Sequence, residues 1–393
     1  MLKDKTIVLG ITGSIAACKA ADLASQLVQK GASVNVIMTK EAGQFVAPLT
    51  FRGITRRPVV TEMFTSSEFG IDHISLAGAA DLVIIAPATA NTIAKLAAGI
   101  ADDILCSTVL AAQAPVIIAP AMDVNMYENQ VTQDNLSKLK SRSFVIVGPV
   151  SGRLASGKKG LGRFADVSDV VGTVCQVLGR NGDLAHKRVI VTAGGTQEPI
   201  DPVRYISNHS SGKMGYALAE AARDRGAAVT LITAPTLLDK PIGVEVLNVR
   251  TAQQMYQMVK DTISEANALI MAAAIADYRP ISIAQDKIKK GDAGLTVKLE
   301  LTPDILGSVK GNFVTVGFAA ESENLLENAR QKLQQKGLDI IVANDITASD
   351  AGFGVDTNRV IIIDREGKID SLPFLPKRVV ADKILDKVVA LLH

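Results

Sequence analysis

VIVTAGGTQEPIDPVRYISNHSSGKMG, residues 189–215, opens as a buried strand (Val189-Ile190-Val191) and breaks at Gly194-Gly195. A strand running into a glycine turn is the opening of a nucleotide-binding α/β unit, in which a helix starts within a few residues. Here the helical pattern GYALAEAARDRG follows only after Lys213-Met214. That is a delay of about a dozen residues against the usual plan. Pro, Asp, Arg, Tyr, Asn, His and Ser fill the gap. A polar insertion where a ligand's phosphates would lie reads as a substrate loop.

The same melody sounds twice. After the insertion a helix runs to Arg225, Gly226 stops it, and AVTLIT (228–233) is the next strand. At the start of the chain KTIVLG (5–10) enters the turn Gly10-Ile11-Thr12-Gly13-Ser14. A helix follows over 16–29, Gly31 ends it, and SVNVIMT (33–39) is again a strand. Two successive Rossmann-like, doubly wound α/β domains are therefore predicted, over 1–180 and 187–393, joined by the polar, glycine-containing GRNGDLAH (179–186). Further strands are predicted at 81–87, 114–120 and 144–147, and at 244–248, 267–271, 313–317, 338–342 and 359–363. LTVKLEL (295–301) alternates like a half-exposed strand, and 376–392 is an amphipathic closing helix. Residues 152–162 read as a Gly/Lys loop.

Composition narrows the class. The 393 residues carry a formal charge of only +2, which implies no strong field for nucleic acid or a membrane surface. Apolar residues make up 48% but aromatics only 4%, as close packing of helices on parallel sheets demands. No apolar run is long enough to span a bilayer, and MLKDKT leads into the first strand without a signal segment. Cys18, Cys106 and Cys175 lack metal-ligand spacing, so reduced thiols in a cytoplasmic protein are expected.

In the first half, the turn at Gly13 and Ser14 offers backbone N–H groups and a hydroxyl to a phosphate at a helix N-terminus. A tight turn with a hydroxyl cap accounts for it equally well. The third glycine of the dinucleotide fingerprint is missing, which favours a mononucleotide. With His73-Ile74-Ser75-Leu76, Pro87-Ala88-Thr89-Ala90-Asn91-Thr92 and the run from Pro120 through Met122, Asp123, Asn125, Met126 and Tyr127 in view, residues 1–178 resemble the FMN-dependent cysteine decarboxylases, phosphopantothenoylcysteine decarboxylase in particular. The resemblance implies oxidation of the cysteinyl moiety, loss of CO₂ and re-reduction. It implies His73 as the base, Gly13, Ser14, Thr39, Ser107 and Thr108 around the flavin phosphate and ribityl chain, and Asn125 and Met126 toward the substrate.

Two positions depart from that family's pattern. Asp123 stands where an asparagine would hold the substrate carboxylate, and Ser156 stands where a cysteine would donate a proton. A serine hydroxyl is a far weaker acid than a thiol of pKa about 8.5. Asp123 and Ser156 are expected to form a coherent catalytic variant, with Asp123 or a water supplying the proton.

In the second half, islands follow the apolar strands: AAAIADYRP (272–280), GFAAE (317–321) and AND (343–345), with DKIKK (286–290) beyond the first. Small residues admit a ligand to the backbone, Asp277 can hold a divalent cation, and lysines offset phosphate charge. No P-loop motif is present. Together with ISNHSSGKMG (206–215), residues 187–393 look like phosphopantothenate–cysteine ligase. The likeness implies attack of phosphopantothenate on CTP and transfer of the acyl-cytidylate to cysteine. It implies Asn208 on the acyl carbonyl and Lys287 on charge as the cytidylate forms. Asp277 is implied for Mg²⁺ or nucleotide, with Ala273, Ala274, Phe318, Asn344 and Asp345 around the nucleotide. Lys332 and Lys336, four residues apart on one helix face, would lie over the triphosphate. Arg204, Ser210 and Lys213 are expected to contact substrate, and His209 to be structural.

Both halves together resemble the bifunctional decarboxylase–ligase family of coenzyme A biosynthesis. That family implies a homo-oligomer, trimeric through the first half and dimeric through the second. A ligase carrying a silent flavin-binding half, or a non-catalytic nucleotide-binding protein, are the competing classes.

Overall fold

The computed structural model describes residues 2–64, 72–290, 295–321, 324–345 and 354–392, with the backbone alone at 320, 321 and 345. The chain divides into two compact units, Met1–Leu178 and Gly179–His393.

The first unit holds β1 (Thr6–Ile11), β2 (Ser33–Met38), β3 (Val59–Val60), β4 (Leu82–Ala88), β5 (Val116–Pro120) and β6 (Val145–Ile146) in one sheet of order β3-β2-β1-β4-β5-β6. Every pairing is parallel, with Thr6 opposite Ser33 and Ile7 opposite Leu82. Along β1, Ile7, Leu9 and Ile11 enter one core and Val8 the other, so both faces are covered. The first core receives α1 (Ala17–Gln29), α2 (Pro48–Thr55) and α8 (Val167–Gly179). The second receives α4 (Ala90–Ala98), α5 (Ile104–Ala111) and α7 (Gln130–Ser141), while α3 (Asp72–Ala79) packs on α5 and α6 (Val124–Glu128) is a short turn after β5. Gly10 is a contact glycine: a Cβ there would lie 2.3 Å from Leu105 Cδ1 of α5. The Gly/Lys loop predicted at 152–162 is instead an antiparallel hairpin, β7 (Val150–Arg153) and β8 (Lys159–Arg163).

The second unit repeats the plan. Strands β9 (Arg188–Ala193), β12 (Ala228–Thr233), β13 (Glu245–Asn248), β14 (Ala268–Met271), β17 (Val314–Glu321) and β18 (Ile340–Asp345) run parallel in the order β13-β12-β9-β14-β17-β18. β19 (Thr357–Asp364) and β20 (Ile369–Pro376) extend that sheet antiparallel. Helices α9 (Lys213–Arg223) and α13 (Lys377–Leu392) pack on one face, and α10 (Ala252–Thr262), α11 (Ile305–Ser308) and α12 (Leu325–Lys336) lie on the other. The insertion before α9 is an ordered hairpin, β10 (Gln197–Pro199) with β11 (Tyr205–Ser207). A second hairpin, β15 (Tyr278–Pro280) with β16 (Leu299–Leu301), takes only the end of the alternating run 295–301, and its three β16 residues are all exposed.

Candidate functional sites

In both sheets the strand order reverses between the first and fourth strands of the unit, where open α/β sheets bind ligands beyond the carboxyl ends. In the first unit Thr12 ties that edge together. Its hydroxyl donates to Pro87 O at 2.7 Å and accepts from the Thr89 N–H at 3.0 Å. Gly13 and Ser14 follow directly, and α1 starts without a side-chain cap or an acidic residue in its first turn. Ser14 takes the Ala16 N–H on its hydroxyl (3.3 Å) and the Ala17 N–H on its carbonyl (2.8 Å), so the turn itself occupies part of the helix start. Thr39 lies at the end of β2, with its N–H on Ile11 O. Ser107 and Thr108 sit on α5, but their hydroxyls donate to Ala101 O (3.1 Å) and Ile104 O (2.7 Å), and Thr108 is wholly buried. His73 is the second residue of α3, and its Nδ1 is buried without a hydrogen-bond partner among the described residues.

Asp123 caps α6, its Oδ1 accepting from the Asn125 N–H at 3.0 Å. Its Oδ2 accepts from Ser156 Oγ at 2.8 Å. The hairpin bearing Ser156 lies directly against residues 122–124. Met122 N donates to Gly162 O at 3.0 Å, and a Cβ on Gly160 would sit 2.8 Å from Val124 Cγ2. The Asn125 N–H, then the Ser156 hydroxyl, hold the Asp123 carboxyl below the usual carboxylate range. Asn125 and Met126 are exposed on α6. Asp102, Asp103 and Cys106 also come together, but Lys95 Nζ reaches both carboxylates, at 2.9 and 3.2 Å, and Asp103 caps α5. That cluster is accounted for as a cap and ion pair.

The second unit has a cavity of about 670 Å³ at its sheet edge. The Gly194-Gly195 turn forms beside it because each glycine is required. Gly194 has φ 79°, and a Cβ on Gly195 would meet Asn208 O at 2.7 Å. Asn208, Ser210 and Lys213 line the cavity from the insertion and the start of α9. Asn208 Nδ2 donates to Ile275 O at 3.0 Å, while Lys213 Nζ holds Asp356 at 2.7 Å. Ala273, Ala274 and the exposed Asp277 line it after β14, and Phe318 and Asn344 from within β17 and β18. Lys332 and Lys336 reach it from α12, donating to Phe318 O (3.0 Å) and Asp304 Oδ1 (2.8 Å). The Asp345 side chain lies outside the described residues.

Lys287 and Arg204 do not line this cavity. Lys287 is exposed in the segment before β16. Arg204 is engaged by the buried Asp201 rather than turned to a phosphate site. Conversely, the cavity takes in Asn358 and Lys377, which the sequence reading passed over. Asn344 Oδ1 and Asn358 Oδ1 are both buried without a partner at its wall. They stand on one face of the antiparallel β18–β19 pair, where Asn344 is opposite Val360. The only sequence signal was an asparagine just before the apolar run 360–363.

Residues 1–179 match the Flavoprotein family, and residues 184–392 match the DNA/pantothenate metabolism flavoprotein C-terminal domain. The coenzyme A biosynthesis bifunctional protein CoaBC of Bacillus subtilis is 45% identical over 398 residues, spanning 100% of this chain and 98% of that protein. The chain belongs to this bifunctional family of coenzyme A biosynthesis. The Escherichia coli K12 protein of the same name is 43% identical, over 99% of this chain and 97% of its own length. A crystal structure of the C-terminal domain of a CoaBC protein aligns with 54% of this chain and 98% of its own, at 39% identity and a TM-score of 0.47. As a member, the chain is a bifunctional flavoprotein enzyme, with a decarboxylase half followed by a ligase half. Among the described residues no helix is long and apolar enough to cross a membrane.

Proposed function

We propose that residues 187–393 join 4′-phosphopantothenate to L-cysteine with CTP, and that residues 1–180 decarboxylate the resulting phosphopantothenoylcysteine to 4′-phosphopantetheine. One observation carries the ligase reading. Asn208, Ala273, Ala274, Asp277, Phe318, both α12 lysines and Asn344, drawn from five separate stretches of sequence, line one cavity.

In the ligation, a carboxylate oxygen of phosphopantothenate attacks the α-phosphorus of CTP and pyrophosphate leaves. The cysteine amine then attacks the acyl-cytidylate carbonyl and releases CMP. Asn208 donates to the developing acyl oxyanion with the N–H not spent on Ile275 O. Lys287 offsets charge as the cytidylate forms. Asp277 is an exposed carboxylate on the cavity wall, and the other one there, Asp304, is paired with Lys336, which suits Mg²⁺ held mainly by water and substrate phosphates. Lys332 and Lys336 exchange Phe318 O and Asp304 for the triphosphate. Ser210 and Lys213 complete the substrate side, with Asn344 and Asp345 around the nucleotide, while Arg204 is taken up by Asp201.

In the decarboxylase half the Gly13-Ser14 turn at the start of α1 and the buried His73 Nδ1, without a hydrogen-bond partner among the described residues, support an FMN-dependent site. Gly13, Ser14 and Thr39 would hold the phosphate and ribityl chain, with Ser107 and Thr108 backing it through α5. Bound FMN supplies reversible two-electron oxidation of the substrate. His73 takes the proton that oxidation releases, and the Asp123–Ser156 pair and Asn125 face the substrate. Exposed Phe45 and Leu49 in the first unit, and Leu299 and Leu301 in the second, suit assembly into a cytoplasmic homo-oligomer through both halves.

Incubation with phosphopantothenate, cysteine, CTP and Mg²⁺, followed by mass spectrometry, tests the whole reading. Pyrophosphate, CO₂ and 4′-phosphopantetheine are expected. Pyrophosphate without CO₂ would leave only the ligase, and neither product would overturn the proposal.

A further inference from the structure

The turn of the β10–β11 hairpin is built around one carboxylate. Asp201 is 3% exposed, and its Oδ1 accepts from the N–H groups of Val203 and Arg204, each at 2.8 Å. Its Oδ2 accepts from Arg204 Nε (3.0 Å) and Nη2 (2.6 Å), and from the Ile288 N–H (3.2 Å). The same Arg204 Nη2 donates to Ile288 O at 2.6 Å. Ile288 is thus gripped at both its backbone groups, one by the buried acid and one by the half-exposed base of a single ion pair. A further bond, Ala284 N to Ile200 O at 3.0 Å, fastens the stretch leading into it.

Lys287 is the residue before Ile288 and is exposed; among the described residues its side chain has no hydrogen bond or ion pair. At the other end of the hairpin, β11 ends at Ser207 and hands the chain directly to Asn208. One short hairpin therefore leads into Asn208 at its exit and holds the segment bearing Lys287 against its turn. These are the two residues assigned to the acyl oxyanion and to the charge of the forming cytidylate. Hydrogen bonds to a charged group are about twice as strong as neutral ones and a two-pronged Arg–carboxylate pair adds geometric definition, so a fork anchored on the buried Asp201 is suited to fixing a loop's position.

We propose that Asp201 is a positioning residue of the ligase, which with Arg204 clamps Ile288 and so sets Lys287 at a fixed reach from Asn208. Arg204 belongs to this clamp in the structure described. The inference rests on the ligase reading of Lys287.

The test is a double-mutant cycle in the full chain, with Asp201→Asn, Lys287→Gln and the two combined, read by CTP-dependent pyrophosphate release. Asp201→Asn is expected to lower kcat by about 10–100-fold, as misplacement of a catalytic group does, with a much smaller change in KM for CTP. In the Lys287→Gln background the same substitution is expected to cost nothing more. Arg204→Lys, which keeps the charge but loses the fork, should show a smaller kcat loss. Limited trypsin digestion of the native chain should cut Asp201→Asn faster at residues 287–290 than the wild type. It reads the loop directly even if turnover falls for another reason. Losses that add in the double mutant, or wild-type kcat and trypsin pattern in Asp201→Asn, would overturn the clamp. Unchanged turnover in Lys287→Gln would instead remove the reading of Lys287 on which the clamp rests.

Discussion

Ser156 donates its hydroxyl hydrogen to Asp123 Oδ2 across 2.8 Å. These are the two positions at which the first half departs from the decarboxylase pattern it resembles, and they lie 33 residues apart in sequence. Their contact makes the departures a single unit. The aspartate accepts what the serine donates. The Asn125 N–H and the Ser156 hydroxyl keep Asp123 ionised at neutral pH.

The coupled pair should decarboxylate as it stands. Ser156→Ala is expected to slow CO₂ release by about 10²–10⁴-fold, the range of general acid–base contributions. A serine hydroxyl does not titrate near neutrality, so the wild-type rate should show no loss on the alkaline side from this position. Ser156→Cys introduces an acid of pKa about 8.5, whose donating form disappears above that pH. The variant's rate should therefore fall as pH rises past it, more cleanly when combined with Asp123→Asn. Failure of the wild type to release CO₂ with flavin bound, together with an active double variant, would show that the pair is a defect.

The two-fold plan was legible because each central parallel strand is buried on both faces and reads as an unbroken apolar run, as in IVLG and VIVTA. Three hairpins and one edge strand escaped in whole or in part for the opposite reason. β7–β8, β10–β11, β15–β16 and β20 are short or half exposed, and their antiparallel partners are fixed by distant packing rather than by local periodicity. LTVKLEL has the alternation of a strand, yet only Leu299–Leu301 pairs, and against Tyr278–Pro280. The ligase cavity was mostly legible, since ligands gather at strand ends and strand ends are easy to find. Asn358 and Lys377 were not, because they come from the antiparallel extension and the closing helix, which have no counterpart in the first unit. Asp201 was hidden inside the insertion that first drew notice.

Asn208→Ala should spare folding and remove ligation. Its side chain is exposed and makes one bond, to Ile275 O, so its stability cost is expected within about 1 kcal/mol. Loss of an oxyanion donor costs about 10²–10³-fold in kcat. Pyrophosphate release should fall by that factor while CO₂ release from supplied phosphopantothenoylcysteine stays at the wild-type rate. Equal loss of both activities would point to misfolding instead.

The three thiols should separate by reactivity. Burial, then the neighbouring Asp103 charge, push the Cys106 thiol up to about 12, so its reactive thiolate is scarce at pH 8. Cys175 is buried, and Cys18 is exposed on α1. An aromatic disulfide reagent at pH 8 should titrate about one thiol rapidly in the native monomer and three after denaturation. Rapid native reaction of Cys106, mapped by peptide mass, would contradict the burial described.

Asp201 also sets an acid limit on the ligase half. Burial raises its carboxyl, but the N–H groups of Val203 and Arg204, the Arg204 guanidinium and the Ile288 N–H outweigh this and hold it well below the usual range. A carboxyl whose folded pKa is depressed binds its proton more readily in the unfolded chain. Its stabilising contribution is thus complete above the unfolded value of about 3.9 and is lost as pH falls through the folded one. Asp201→Asn cannot make that contribution at any pH. Thermal melts of the two proteins should differ by a constant amount from pH 7 down to about 4, and the gap should narrow in stronger acid. A gap that instead opened as pH fell would mean that Asp201 is protonated in the fold and does not hold Arg204 as an ion.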